Sequence, residues 1–128
     1  MIHLIVGGAA QGKLAYALSC YGLTEQQVSE GNLDGPIVNR LQEWVRKLLA
    51  QQIDPLARID ELVEGRDLVI LCDEVGCGVV PIDPAQREWR EAVGRVCCAL
   101  AQKAVFVDRV QCGIATRIKG GPGCLPLC

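Results

Sequence analysis

The stretch IHLIVGGAAQGKL, residues 2–14, contains the pattern that decides the fold. Residues 2–6 form a short and partly β-branched apolar run, which is typical of a fully buried strand. A glycine-rich segment at 7–12 interrupts that run, and from Lys13 the apolar spacing is helical up to about Gly22. The sequence therefore predicts a strand, a flexible loop and a helix in direct succession.

Helical patterns continue along the chain. We predict a short helix at 24–30, a strongly amphipathic helix from Ile37 to about residue 50, and two further helices that begin at Pro55 and Pro84. The second of these runs to about Lys103. Asp54 and Asp83 directly precede the two prolines, and an Asp-Pro pair is a typical helix start because Asp caps the first turn and Pro fits its first position.

Three more apolar segments predict strands, at 68–72, 104–107 and 110–114, the last being either a separate strand or a continuation past a kink. Because strands and helices alternate, we expect a small, mostly parallel sheet covered by helices on both faces. The predicted fold class is α/β, a three-layer domain like those of P-loop NTPases. Residues 1–118 are expected to form this single domain, and 119–128 a loosely ordered Gly/Pro-rich tail.

Composition excludes several classes of function. The chain has 13 Lys and Arg against 15 Asp and Glu, so it lacks the basic surplus of a nucleic-acid binder. No apolar run reaches the ~20 residues of a membrane-spanning helix. No basic residue precedes the first apolar run, so we expect no export signal and a cytoplasmic protein. The apolar faces at 37–50 and 84–103 are large for a small sheet, so association into a homo-oligomer is an open alternative to a monomer.

Cysteine is unusually frequent. The eight cysteines are Cys20, Cys72, Cys77, Cys97, Cys98, Cys112, Cys124 and Cys128. They form no CxxC pair, and the only histidine is His3, so the spacing typical of zinc sites is missing. We interpret the cysteines as small buried apolar residues, with the two in the tail as exceptions. A thiol- or metal-based protein remains the alternative.

Residues 7–13 fit the phosphate-binding pattern G-x-x-x-x-G-K. In such loops backbone N–H groups surround phosphate oxygens, the next helix adds its positive N-terminus, and the lysine reaches the β- and γ-phosphates. The candidate nucleotide-binding residues are Gly7, Gly8, Ala9, Ala10, Gln11, Gly12, Lys13 and Leu14. Leu14 stands where Ser or Thr usually supplies a hydroxyl to Mg²⁺, so a metal would need another ligand. A structural glycine turn is the alternative.

Two carboxylates directly follow the predicted strand 68–72. Ligands of parallel α/β sheets gather at the carboxyl ends of strands, so Asp73 and Glu74 are candidate Mg²⁺ ligands. Glu74 is also a candidate to accept the proton of a substrate hydroxyl, and with Lys13 it makes up the predicted catalytic pair. Gly76 and Gly78 would allow a ligand to approach closely. Helix capping or an ion pair at the rim is the alternative for both acids.

The segment 73–81, Asp-Glu-Val-Gly-Cys-Gly-Val-Val-Pro, and Arg-Glu-Trp-Arg at 87–90 resemble the adenosylcobinamide kinase/adenosylcobinamide-phosphate guanylyltransferase family. That family has a similar Asn-Glu-Val-Gly-x-Gly-Ile/Val-Val-Pro segment, then an Arg-x-aromatic-Arg helix, and a Gly-Gly-rich phosphate loop after its first strand. The resemblance covers residues 1–20 and 67–119. Residues 21–66 show no clear likeness to it.

The resemblance implies a P-loop α/β fold and a role in the late steps of cobalamin assembly. Family members phosphorylate a hydroxyl of adenosylcobinamide with ATP or GTP, and then transfer GMP to that phosphate through a guanylylated histidine. Gly7, Gly8, Gly12 and Lys13 match the nucleotide loop, and Glu74 matches the family's glutamate. The implied ligands are GTP or ATP, Mg²⁺ and a corrinoid substrate.

Two hypotheses follow from these residues. In the first, the chain transfers a phosphoryl group to adenosylcobinamide, and the guanylyltransferase activity is absent because no histidine follows His3. In the second, it is a regulatory protein or subunit that binds a nucleotide or phosphate without turnover. Leu14 and the missing histidine favour the second hypothesis, whereas Gly12, Lys13 and Glu74 favour the first.

Overall fold

In the computed structural model, which describes residues 1–75 and 82–127, six strands join into one sheet. The strands are β1 (Ile2–Gly7), β2 (Val28–Glu30), β3 (Ile37–Asn39), β4 (Leu68–Asp73), β5 (Phe106–Gln111) and β6 (Ile114–Lys119). The helices are α1 (Lys13–Tyr21), α2 (Leu41–Ala50), α3 (Pro55–Val63) and α4 (Pro84–Lys103), with a single 3-10 turn at Glu25–Gln27.

The sheet has the strand order β2-β3-β4-β1-β5-β6. The first five strands are parallel, and only β6 pairs antiparallel, with β5. Parallel strands require crossover connections, and helices supply most of them here. The prediction of a mostly parallel α/β sheet in a P-loop-like three-layer fold is confirmed.

Alternation along the strands divides the core into two aliphatic layers. Leu4, Val38 and Ile70 point to the face covered by α2, α3 and α4, and Ile5 and Leu71 point to the face covered by α1. The apolar faces of α2 and α4 share the first layer, so each has a partner within the chain. No helix in residues 1–75 and 82–127 is long and apolar enough to cross a membrane.

The helix starts at Pro55 and Pro84 are confirmed, whereas the one at Ile37 is wrong. The Asp54 and Asp83 carboxylates accept hydrogen bonds from Leu56 N and Ala85 N, both at 3.0 Å. Residues 37–39 instead form β3, since β-branched Ile37 and Val38 are fully buried beside β4.

The short helix predicted at 24–30 is reduced to the 3-10 turn, followed by β2. Gln27 Oε1 accepts from Thr24 N at 2.8 Å, so the capping interaction is present although the helix does not continue. Val28–Glu30 extends because it pairs with β3 at the sheet edge.

The predicted strands 104–107 and 110–114 lie further along the chain, as β5 and the antiparallel β6. Cys112 and Gly113 have φ values of 54° and 75°, which is the backbone of a tight hairpin turn. The expectation of a loose tail is wrong at Leu125, which is 3% exposed and donates its N–H to the Tyr21 hydroxyl at 3.1 Å.

The interpretation of the cysteines as buried residues holds only in part. Cys72 is buried, but Cys98 and Cys112 are exposed free thiols, as is Cys124 of the tail. Cys77 and Cys128 lie outside the described residues, as do Gly76 and Gly78.

Candidate functional site

The carboxyl ends of β1, β3 and β4 lie at one edge of the sheet, where a cavity of about 500 Å³ opens. Its described wall consists of Ala9, Ala10, Gln11, Gly12, Lys13, Leu14, Ala15, Asn39, Arg40, Gln42, Glu43 and Asp73. Six of the eight predicted nucleotide-binding residues line it, together with Asp73. Of the remaining two, Gly7 is the last residue of β1, and the Gly8 carbonyl accepts a hydrogen bond from the Lys13 ammonium.

Two residues of the loop at 8–12 have the left-handed backbone that anion-binding nests contain. Ala10 and Gly12 have φ values of 57° and 93°, both in the left-handed region. Left-handed residues next to right-handed ones turn successive N–H groups toward one point, where an anion is bound. The first turn of α1 begins directly after Gly12 and has no side-chain cap, so its positive end lies at the same place.

The β5–β6 turn supports the tip of this loop. Gln11 O accepts from Gly113 N at 2.8 Å, and Gln11 Oε1 accepts from Cys112 N at 2.7 Å. A Cβ on Gly12 would lie 3.2 Å from Gly113 Cα, so a glycine is needed for this close approach as well as for its φ. Residues far apart in sequence thus hold the loop in one conformation.

Lys13 is a buried cation at the centre of the site, with 7% of its surface exposed. Its Nζ lies 2.7 Å from Asp73 Oδ1 and 2.7 Å from Gly8 O. A buried ammonium is costly unless it is paired, and the Asp73 carboxylate supplies that pairing. The contact joins the two segments that the sequence had singled out, the glycine-rich loop and the end of β4.

Asp73 and Glu74 point in different directions. The Asp73 side chain lines the cavity, and its N–H donates to Gln42 Oε1 at 3.1 Å. The Glu74 carboxylate is held by Arg109, with Nε at 2.8 Å from Oε1. In residues 1–75 and 82–127, no three His, Cys, Asp or Glu side chains cluster as metal ligands. The carboxylates of the described wall are Asp73 and Glu43, and since Glu43 lies 3.4 Å from Arg46 Nε, a metal at this cavity would be held by Asp73.

One wall of the cavity was missed by sequence reasoning. This wall is formed by the end of β3 and the start of α2, a segment that the periodicity assigned to the middle of one long helix; its residues are Asn39, Arg40, Gln42 and Glu43. The available signal was the change from fully apolar, β-branched residues at 37–38 to polar Asn-Arg, which is typical of the end of a buried parallel strand. Arg87 and Arg90 of α4 are not among the residues of the described wall.

His3 belongs to a separate, buried polar cluster on the α1 face. Its Nε2 donates to Asp108 Oδ2 at 2.7 Å, and its Nδ1 accepts from the Tyr21 hydroxyl at 2.6 Å. The Tyr16 hydroxyl and the Arg117 guanidinium complete the partners of Asp108. Both ring nitrogens of this fully buried histidine are thus occupied by side chains of the chain itself.

The cluster holds its charges on Asp108 and Arg117, and His3 is neutral. Burial lowers the pKa of His3, although the hydrogen bond to Asp108 opposes this. For Asp108, burial raises the pKa, but the hydrogen bonds from Arg117, Tyr16 and His3 outweigh it and the net pKa is lowered. Burial and the bond to Asp108 raise the pKa of Tyr16 to about 12, so its hydroxyl remains a donor.

The neutral state of His3 predicts a loss of stability in mild acid. Burial places the pKa of His3 in the folded chain below its ordinary value of 6.5, so below that pH the unfolded chain binds more protons. As the pH is lowered from about 7 to about 5, the free energy of unfolding should therefore decrease, by up to about 1.4 kcal/mol per pH unit. Urea unfolding at several pH values measures this slope. His3→Gln, which keeps a donor for Asp108, should flatten it; an equal slope in both proteins would contradict the assignment.

Comparison with known proteins places the chain in a family. The family described as cobinamide kinase / cobinamide phosphate guanyltransferase matches residues 23–118. The match covers most of the chain and includes residues 23–66, in which the sequence had shown no clear likeness. It begins after the glycine-rich loop and the Lys13 helix. A search of curated proteins gave no match.

Proposed function

Since the chain belongs to the cobinamide kinase / cobinamide phosphate guanyltransferase family, whose place is in cobalamin biosynthesis with a nucleotide-related activity, we propose that it is a kinase of adenosylcobinamide. In this proposal GTP or ATP binds with its phosphates in the loop at 7–13 and gives its terminal phosphoryl group to the hydroxyl of the corrinoid. The reaction would take place in the cytoplasm.

The observation that carries the proposal is the buried Lys13 ammonium between the loop and Asp73, at 2.7 Å from the carboxylate. A cation placed beside an open cavity and a left-handed loop is the arrangement that P-loop proteins use for the β- and γ-phosphates. Such preorganised charges stabilise a transferred phosphoryl group without rearranging during the reaction.

Of the two carboxylates in the described wall, Asp73 and Glu43, Asp73 is the one beside Lys13 and the loop, and it fits Mg²⁺. Asp73 would hold the ion together with phosphate and water oxygens, which are ligands that Mg²⁺ commonly takes. Leu14 offers no oxygen there. When bound, the ion would neutralise charge on the phosphates. Glu74 is engaged by Arg109, so we assign it no metal and give it a positioning role through its N–H, which donates to Gly7 O at 2.9 Å.

We propose in addition that the guanylyltransferase activity is lost. His3 is the only histidine of the chain, and it is fully buried with both nitrogens hydrogen-bonded on the α1 face. A nucleotidyl group cannot reach a nitrogen so placed. A protein that binds nucleotide without turnover is the second candidate, and the apolar Leu14 in the cavity wall favours it.

Calorimetric titration with GTP and ATP, with and without Mg²⁺, tests the proposal together with an assay for adenosylcobinamide phosphate. The kinase proposal expects nucleotide binding, formation of the phosphorylated corrinoid, and no GDP-cobinamide. Binding without any phosphoryl transfer would favour the second candidate. No binding of either nucleotide would reject both.

Restoring the missing hydroxyl should strengthen the dependence on Mg²⁺. Leu14→Ser places an oxygen at the position that normally contacts the metal. We expect Mg²⁺ to increase nucleotide affinity more in this variant than in the unaltered chain, by several-fold (roughly 3–10-fold). Leu14→Ala is the matched control, since it removes the same apolar side chain and adds no oxygen. The same Mg²⁺ effect in both variants would mean that the metal lies elsewhere.

A further inference from the structure

Arg40 lines the same cavity as the phosphate loop. It lies between β3 and α2, and together with Lys13 it belongs to the described wall. Arg40 and Lys13 are the two cations of the described wall. A guanidinium presents several fixed N–H donors, and it binds phosphate oxygens in a bidentate manner.

Among the charged groups of this wall, Arg40 is the least firmly held. Lys13 is paired with Asp73 at 2.7 Å, and the Glu43 carboxylate lies 3.4 Å from Arg46 Nε. The nearest carboxylate oxygen to Arg40 Nε is Glu30 Oε2 at 3.8 Å, beyond hydrogen-bond distance, and both side chains are more than half exposed. Such an exposed pair contributes little, so the guanidinium is free to turn toward an anion at small cost.

The backbone of Arg40 is kept in an unfavourable conformation. Its φ is 58°, in the left-handed region that is unfavourable for a residue other than glycine. Asn39 O accepts from Gly31 N at 2.9 Å, and Arg40 O accepts from Glu43 N at 2.9 Å, so the residues on both sides hold it there. A glycine would relax this strain, yet a long cationic side chain occupies the position.

We propose that Arg40 binds the terminal phosphate of the nucleotide and stabilises the phosphoryl group during its transfer; this rests on the proposed kinase function. In that step the bond from the terminal phosphorus to the bridging oxygen of the β-phosphate breaks, and a bond from the acceptor hydroxyl oxygen forms. The nucleoside diphosphate leaves with the electron pair of the broken bond, and the hydroxyl proton passes to solvent. Arg40 acts on the oxygens of the group in transit.

The test compares GTP with GDP in Arg40→Gly. This variant removes the guanidinium and also relaxes the backbone, so it should melt at or above the temperature of the unaltered chain. We expect its affinity for GTP to fall about tenfold or more, and its affinity for GDP to change less than about twofold. Arg40→Lys should recover part of the loss, since it restores the charge without the bidentate geometry.

Gln52→Gly is the matched control, because Gln52 is another exposed residue with left-handed φ, 60°, at the far end of α2. It should leave both affinities unchanged. Equal losses of GTP and GDP affinity in Arg40→Gly, or no loss, would overturn the assignment of Arg40. Nucleotide binding at the phosphate loop is tested separately by Lys13→Ala. Failure of the unaltered chain to bind GTP would instead reject the kinase function itself.

Discussion

Replacing Lys13 by alanine should lower the affinity for GTP and ATP by about 100-fold. Lys13 is only 7% exposed and lies at the point where the loop, β4 and the cavity meet, whereas Arg40, the other cation of the described wall, is more than half exposed. A charge-assisted bond to phosphate contributes up to ~3 kcal/mol, and each 1.4 kcal/mol is about tenfold in affinity. Calorimetric titration of the variant measures the loss.

Lys103→Ala is the control for this experiment. Lys103 is an exposed lysine at the end of α4, paired with Asp60 at 2.6 Å on the other side of the fold from the loop. It changes the net charge of the chain by the same amount and should leave nucleotide affinity within about twofold, since exposed pairs contribute little. Unchanged affinity in Lys13→Ala would remove Lys13 from the site and leave the glycine-rich loop as a structural turn.

The second large effect concerns stability. Gly7→Ala should lower the free energy of unfolding by at least about 3 kcal/mol, because its Cβ would lie 2.3 Å from the carbonyl oxygen of Val110. That oxygen belongs to β5, which pairs with β1 and is held on its other side by β6, so it cannot move without disturbing the sheet. Urea unfolding of the variant measures the change.

Gly94→Ala is the opposite case and serves as the control. Gly94 lies within α4, is exposed, and a Cβ there would meet no atom within 4 Å. Alanine should therefore stabilise the helix by about 1 kcal/mol. No loss of stability in Gly7→Ala would mean that the packing of β1 against β5 differs from the one described, whereas a loss in Gly94→Ala would mean that the surroundings of this α4 position differ.

Local chemistry was sufficient to predict the elements that carry their own start signals. The Asp-Pro pairs at 54–55 and 83–84 are such cases, because both the cap and the fixed φ of proline act within one turn. The first strand, the loop and α1 were predicted from the change of apolar spacing within one short stretch, residues 2–22. Asp73 was placed correctly at a strand end because parallel strands bring their carboxyl ends together.

The errors arose where pairing partners distant in sequence decide the structure. Ile37 and Val38 continue the apolar spacing of α2, and only the neighbouring β4 makes them a strand. Similarly, Arg109 lies 35 residues beyond Glu74 in the sequence, so the ion pair between them could not be predicted. The nearness of Gln11 to the β5–β6 turn has the same origin, since it depends on strand order.

The most direct test is a crystal structure of the chain with Mg²⁺ and a GTP analogue that cannot be hydrolysed. We expect β- and γ-phosphate oxygens within hydrogen-bond distance of the backbone nitrogens of residues 8–13, with Lys13 Nζ turned from Gly8 O toward the phosphates. The analogue bound at any other surface, with Lys13 still on Gly8 and the loop without an anion, would contradict this expectation.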